Sequence, residues 1–189
     1  MANQDAAFGF RPVRSLTGGQ IRAEEANIAN AYDTAIYTGQ VVAAVTAGGV
    51  EAATVGDDQQ VGVFGGVFYT DPTTSKPTWK AYYPASTAAA DIKATIYMDP
   101  TIIFEAQHDE TGTAAHNFAT GNFVGTSGST ATGQSTQELD TSSFGTTASG
   151  LKQIGISKDP DNSDTSSANA NAYAVFGTGE NVFTFATGI

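Results

Sequence analysis

Apolar positions along this chain recur mostly at the two-residue period of a half-buried strand. Val41, Val42 and Val45 precede a Gly48-Gly49 turn, Val50 to Val55 follows, and VGVFGGVFYT at 61–70 is dominated by β-branched and aromatic residues. Inside that run Gly65-Gly66 predicts a bulge or sharp bend. TWKAYY at 78–83 reads as a further strand, with Trp79, Ala81 and Tyr83 on one face and Lys80 and Tyr82 on the other. Asp71-Pro72 and Lys76-Pro77 bound the loop before it. ATIYMDPTIIFEAQ at 94–107 reads as two apolar strands joined by a hairpin-like bend at Asp99-Pro100, because proline cannot donate to a central ladder.

LKQIGIS at 151–157, AYAVFG at 172–177 and NVFTFA at 181–186 return to strand patterning, with turn-rich DPDNSD between the first two and a tight connection at Gly177–Gly179 between the last two. EEANIANAYDTAIY at 24–37 is compatible with either a short helix or an extended segment. Eighteen of the twenty-six residues from Gly125 to Gly150 are Gly, Ser or Thr, so that span has few apolar anchors beyond Leu139 and Phe144. It reads as a flexible loop or as an exposed strand through STATGQSTQELD, ordered only when neighbouring subunits are present. Short strands with frequent turns, and no strand-then-long-helix alternation, predict a mainly β fold: a small antiparallel β-barrel or sandwich with an extended N-terminal arm.

The arm is residues 1–22, where Phe8, Gly9, Phe10 and Pro12 break any helical period and Thr17-Gly18-Gly19 signals a turn. Residues 23–189 form the single β-rich domain, within the size range of one all-β unit. The two arm aromatics either return to this body or insert into a neighbouring subunit.

Charge sharpens this division. The net charge is −11, yet all three arginines, Arg11, Arg14 and Arg22, lie in the first 22 residues, opposed there only by Asp5. The arm carries about +2 by formal count and the remainder, with five lysines against eighteen carboxylates, −13. A cationic arm on an anionic body suits docking on an acidic partner, although scattered charges on a solvated N-terminus give the same pattern. The overall charge opposes a phosphate backbone, so no nucleic-acid partner is expected. No run of 18 or more apolar residues and no secretory n- and h-region occur, so the expectation is a soluble product with no membrane partner. With no cysteine, disulfides, thiolate metal sites and thiol nucleophiles fall away.

Candidate chemistry is sparse. His108 and His116, with Asp109 and Glu110 beside the first, match no metalloenzyme spacing and read as exposed residues of a polar loop around Gly112. In the acidic loop Asp159–Asp164, a calcium loop would need glycine where Asp164 stands and glutamate where Ala170 stands, so turn caps are expected. GTSGSTATGQST at 125–136 lacks the Gly-Lys-Ser/Thr end of a phosphate loop, and no GxSxG elbow occurs. No catalytic residue, no metal site and no cofactor is assigned, and the chain is not expected to be an enzyme.

MANQDAAFGFRPVRSLTGG at 1–19 resembles the opening of a widespread group of small tailed-phage proteins found in virion gene clusters. VGVFGGVFYTDPTTSKPTWKAYYPA at 61–85, YMDPTIIFEAQHD at 97–109, TATGQSTQELD at 130–140 and LKQIGISKDPDN at 151–162 extend the resemblance, in order, over most of the chain. Ser15 and Leu16 stand where that group often carries a basic residue, and EEANIANAYD replaces a more aromatic stretch. The resemblance implies a capsid cement or decoration protein, made in the host cytoplasm and ending on the outer capsid surface of the virion, with the major capsid protein as partner.

In that role the body would self-associate, as a trimer in preference to a dimer, while Phe8, Phe10, Arg11, Arg14 and Arg22 would contact the shell. A rival reading is a carbohydrate- or host-surface-binding module of a head fibre or tail, with Trp79, Tyr82, Tyr83 and Tyr97 as a sugar platform.

Overall fold

The computed structural model describes residues 3–56, 59–147, 150–162, 164–177 and 182–183. Fifteen strands are formed among them: β1 (Arg11–Ser15), β2 (Glu24–Asn27), β3 (Ile36–Tyr37), β4 (Val41–Val45), β5 (Gly49–Ala52), β6 (Gln60–Thr70), β7 (Pro77–Lys80), β8 (Tyr82–Tyr83), β9 (Lys93–Tyr97), β10 (Ile102–Gln107), β11 (Thr120–Gly121), β12 (Phe123–Val124), β13 (Glu138–Leu139), β14 (Leu151–Ile156) and β15 (Asn171–Phe176). Helical structure among these residues is confined to short 3-10 turns at Ala114–His116 and Thr141–Ser143.

The strands build two main antiparallel sheets, in the order β1-β10-β15-β14-β11 and β2-β9-β6-β4-β5, with β7 pairing the far half of the long β6. The pairs β3-β8 and β12-β13 stand apart. The arrangement is consistent with a β-sandwich, and no ladder closes it into a barrel.

Around β4 the second sheet is buried on both faces. The strand's alternation sends Val41 and Ala43 into a core shared with Phe104, Leu151 and Ala174 of the first sheet, and Val42 into a second core with Phe64, Val67, Ile92 and Ile96. In β6 the ladder to β9 slips between Phe64 and Gly66. The extra residue of this bulge lets Phe64, Val67 and Tyr69 enter one core although strict alternation would part Phe64 from Val67.

Several expectations are corrected by the pairing. Residues 24–27 are a strand because β9 offers a ladder to them, Glu24 through Asn27 opposite Ile96 through Lys93, so the helical option at 24–37 is not taken. Asp99-Pro100 is no hairpin: β9 and β10 lie in different sheets, and the Asp99 carboxylate, accepting from the Thr101 N–H at 2.8 Å, caps a corner where the chain changes layer. TWKAYY divides at Ala81, whose carbonyl accepts from the Thr38 N–H and hydroxyl. Trp79 is therefore exposed while Tyr83 is buried. The strand expected at 181–186 and its connection lie largely outside the described residues.

Residues 3–22 lie along the body. The Phe10 N–H donates to the Gly39 carbonyl at 2.8 Å, and β1 pairs with β10 as an edge strand. The crossing at residue 39 requires Gly9 and Gly39, both at positive φ, since a Cβ on Gly9 would stand 2.7 Å from the Gly39 oxygen. The Gly/Ser/Thr-rich span also packs within the chain: Gly133, Ser135, Gln137 and Leu139 are buried in alternation, and Gln137 Oε1 accepts from the Val41 N–H at 2.8 Å. Small polar side chains can line an interior face when backbone donors meet them.

Candidate functional site

The five N-terminal residues expected to contact a shell separate into two groups. Phe10 is 1% exposed and belongs to the core of its own chain, which removes it as an anchor for a neighbour in this conformation. Arg11 reaches Glu105 at 2.5 Å and lies 5.0 Å from the centre of the half-buried Phe8 ring. Glu105 is buried and also accepts from the Ser157 hydroxyl, so Arg11 compensates an interior carboxylate. Arg14 lies over the Tyr173 ring at 5.7 Å, and Arg22 is exposed beside Asp99 and Pro100. On either side of Arg14, β1 and its exit expose Val13 at 42% and Leu16 at 60%. The N-terminal edge thus presents Arg14 and Arg22 of the expected residues, with Val13 and Leu16 as its exposed apolar side chains.

His108 corrects the expectation of an exposed loop residue, because its ring is fully buried. It follows directly on β10, whose six residues are all buried, and the polar loop begins only after it. Gln153 donates through Nε2 to the Thr113 carbonyl and to Asn117 Oδ1, which turns its own oxygen toward His108. The imidazole Nε2–H donates to that oxygen at 2.9 Å, and Nδ1 accepts from the Thr141 hydroxyl at 3.2 Å. Both partners suit a neutral ring, and burial lowers its pKa from 6.5 to about 4, with His116 adding to the fall.

His116 stacks on Phe144 at 5.3 Å, and the two histidine rings lie 5.9 Å apart. The cluster ties β10 and β14 to both 3-10 turns, and neither nitrogen of His108 is presented to solvent. A neighbouring carboxyl, Glu138, is pushed up to about 6 by burial and by Asp5 and Asp109, with Oε1 buried and without a hydrogen-bond partner.

The acidic loop carries turn caps. Asp159 Oδ1 accepts from the Asp161 N–H, Asp164 accepts from Ser166 and Ser167, and the buried Asn162 amide ties Ser157 to Asn171. Among the described residues no group of three or more His, Cys, Asp or Glu side chains is placed to hold a metal ion, and no helix is long and apolar enough to cross a membrane.

The four aromatics read as a sugar platform do not share a surface. Tyr83 is core, Tyr82 stacks on Tyr37 at 5.7 Å with Lys80 over its ring, and Tyr97 packs partly against the first core. Trp79 instead stands opposite Phe68 in the β6–β7 ladder, and both are exposed. Sequence reasoning missed Phe68 because it sits in the most apolar strand of the chain; the Gly65-Gly66 bulge, which changes the parity of β6, was the available signal. No family model, no curated protein and no solved structure matches this chain.

Proposed function

We propose that the chain is a tailed-phage capsid decoration protein that binds the outer surface of the major capsid shell and stabilises it by bridging subunits. The observation that carries this reading is the N-terminal edge strand, which leaves Val13 and Leu16 exposed on either side of Arg14, with Arg22 further along, on a molecule otherwise strongly acidic. An edge strand with unpaired backbone groups, apolar side chains and local positive charge is the kind of surface that docks on another protein's sheet edge or acidic rim. The resemblance of residues 1–19 to virion proteins supports a reading centred on the same segment. Many symmetric copies, as trimers in preference to dimers, multiply a modest contact into a stabilised shell.

The arm as a free anchor gives way here to the arm as an edge. Deleting residues 1–22 would remove Phe10 from the core and β1 from its sheet, so loss of binding would not distinguish docking from unfolding. Replacing Val13 and Leu16 together by aspartate, in the full chain, tests the surface alone. Co-sedimentation with capsids purified without the protein is expected to fall by at least tenfold, and to weaken as salt screens the arginines. Undiminished binding of a variant with an unchanged circular dichroism spectrum would overturn the reading.

A further inference from the structure

Beyond the edge of the first core, on the same face of the second sheet as Val63 and Tyr97, a transverse row crosses four strands. Asn27 of β2 stands opposite Lys93 of β9, Lys93 opposite Phe68 of β6, and Phe68 opposite Trp79 of β7. Residues directly opposite in antiparallel ladders share a face, and all four are exposed. Phe68 is 45% and Trp79 61% exposed, and the indole rests against the bare Cα of Gly66, where a Cβ would meet the ring at 2.8 Å. Lys93 Nζ donates to Asn27 Oδ1 at 2.6 Å, which fixes the polar half of the row.

We propose that this row is a glycan-binding platform, on which Phe68 and Trp79 stack against the apolar faces of neutral pyranose rings while Lys93 and Asn27 hydrogen-bond their hydroxyls. The proposal is independent of attachment to a shell.

Three observations select this occupant. The two aromatics, at most about 250 Å² each if fully exposed, fall well short of the ~800 Å² per partner of a stable protein interface, so a second copy is poorly matched to the row. Aromatics beside a lysine would also suit single-stranded nucleic acid, but Glu25, exposed two residues from Asn27 on the same face, and the net charge of −11 oppose any polyanion. Finally, three inter-strand steps make the row about 14 Å long, so it fits an extended chain of rings better than one. Apolar stacking at one end and fixed hydrogen-bonding groups at the other match the two sides of a sugar ring.

Trp79 is the only tryptophan in the chain, so its emission reports on this site alone. The full-length protein would be titrated with maltohexaose, cellohexaose, mannohexaose and N-acetylchitohexaose as neutral probes, and with polygalacturonate as the anionic one. The expected result is a saturable shift in emission with at least one neutral hexasaccharide. Phe68→Ala and Lys93→Ala should each weaken that binding about tenfold, a loss of ~1.4 kcal/mol, and Trp79→Ala should abolish retardation on a gel containing the same glycan. No response to any neutral probe, or a response to polygalacturonate alone, would refute the platform. So would sedimentation showing a dimer that Trp79→Ala dissociates, since a second copy would then cover the row.

Discussion

At the level of single residues, the buried His108 and the half-buried Glu138 of β13 make stability depend on pH in opposite senses. For His108 the folded pKa is about 4 against an ordinary 6.5, so between these values the unfolded chain takes up a proton that the folded chain refuses. Its contribution is complete above pH 6.5 and is lost as pH falls toward 4, an effect of about 3 kcal/mol at full extent. Glu138 works the other way: with its pKa raised from 4.5 to about 6, its contribution is complete below pH 4.5 and is lost as pH rises through 6. Urea midpoints measured from pH 4 to 7.5 should rise with pH in the parent protein. His108→Gln, which keeps a donor for Gln153 without titrating, should flatten that rise, and Glu138→Gln should steepen it. An unchanged slope in His108→Gln would mean that the ring is not held neutral.

At the level of the strand, β1 and the residues before it combine folding with the proposed recognition in one short segment, and the two separate by side chain. Phe10→Ala empties a site in the first core and should cost about 3–5 kcal/mol in denaturant unfolding, while Leu16→Ala, on the exposed side, should stay within about 0.5 kcal/mol. Equal losses would mean that the edge, too, is structural. The strand at Val41–Val45 and the glycine bulge of β6 were legible in the sequence because each depends on residues only a few positions apart. What was not legible depends on partners distant in sequence. Phe10 could be placed only by knowing that Gly39 passes over Gly9, and the Asp99-Pro100 turn looks the same locally whether its strands pair with each other or enter different sheets. His108 was misread because the residues after it are loop-like, whereas its ring follows the inward course of β10 and meets Gln153, 45 positions away. Trp79 was noticed, but Phe68 and Lys93 became its neighbours only through the ladders on either side of β6.

For the molecule as a whole, the decisive feature is that its two cores are not separable. β4 supplies Val41 and Ala43 to one and Val42 to the other, and β6 supplies Val63 to one and Phe64 and Val67 to the other. Melting either core would detach the strands that line its neighbour, so no intermediate retaining one core keeps its full set of contacts. Calorimetry should therefore show one transition, with the calorimetric enthalpy equal to the van't Hoff value. Phe64→Ala, in the second core, and Phe104→Ala, in the first, should each lower that same transition as a unit. At about 3–5 kcal/mol per substitution and ~2–4 °C per kcal/mol for a chain of this size, the shift is on the order of 10 °C. Two resolved peaks, with each variant moving only one, would show that the sheets fold as independent layers. Coupling of this kind also bears on the proposed role: a load applied at the β1 edge enters the first sheet through β10 and reaches the second core through the shared strands, so the whole body resists it together.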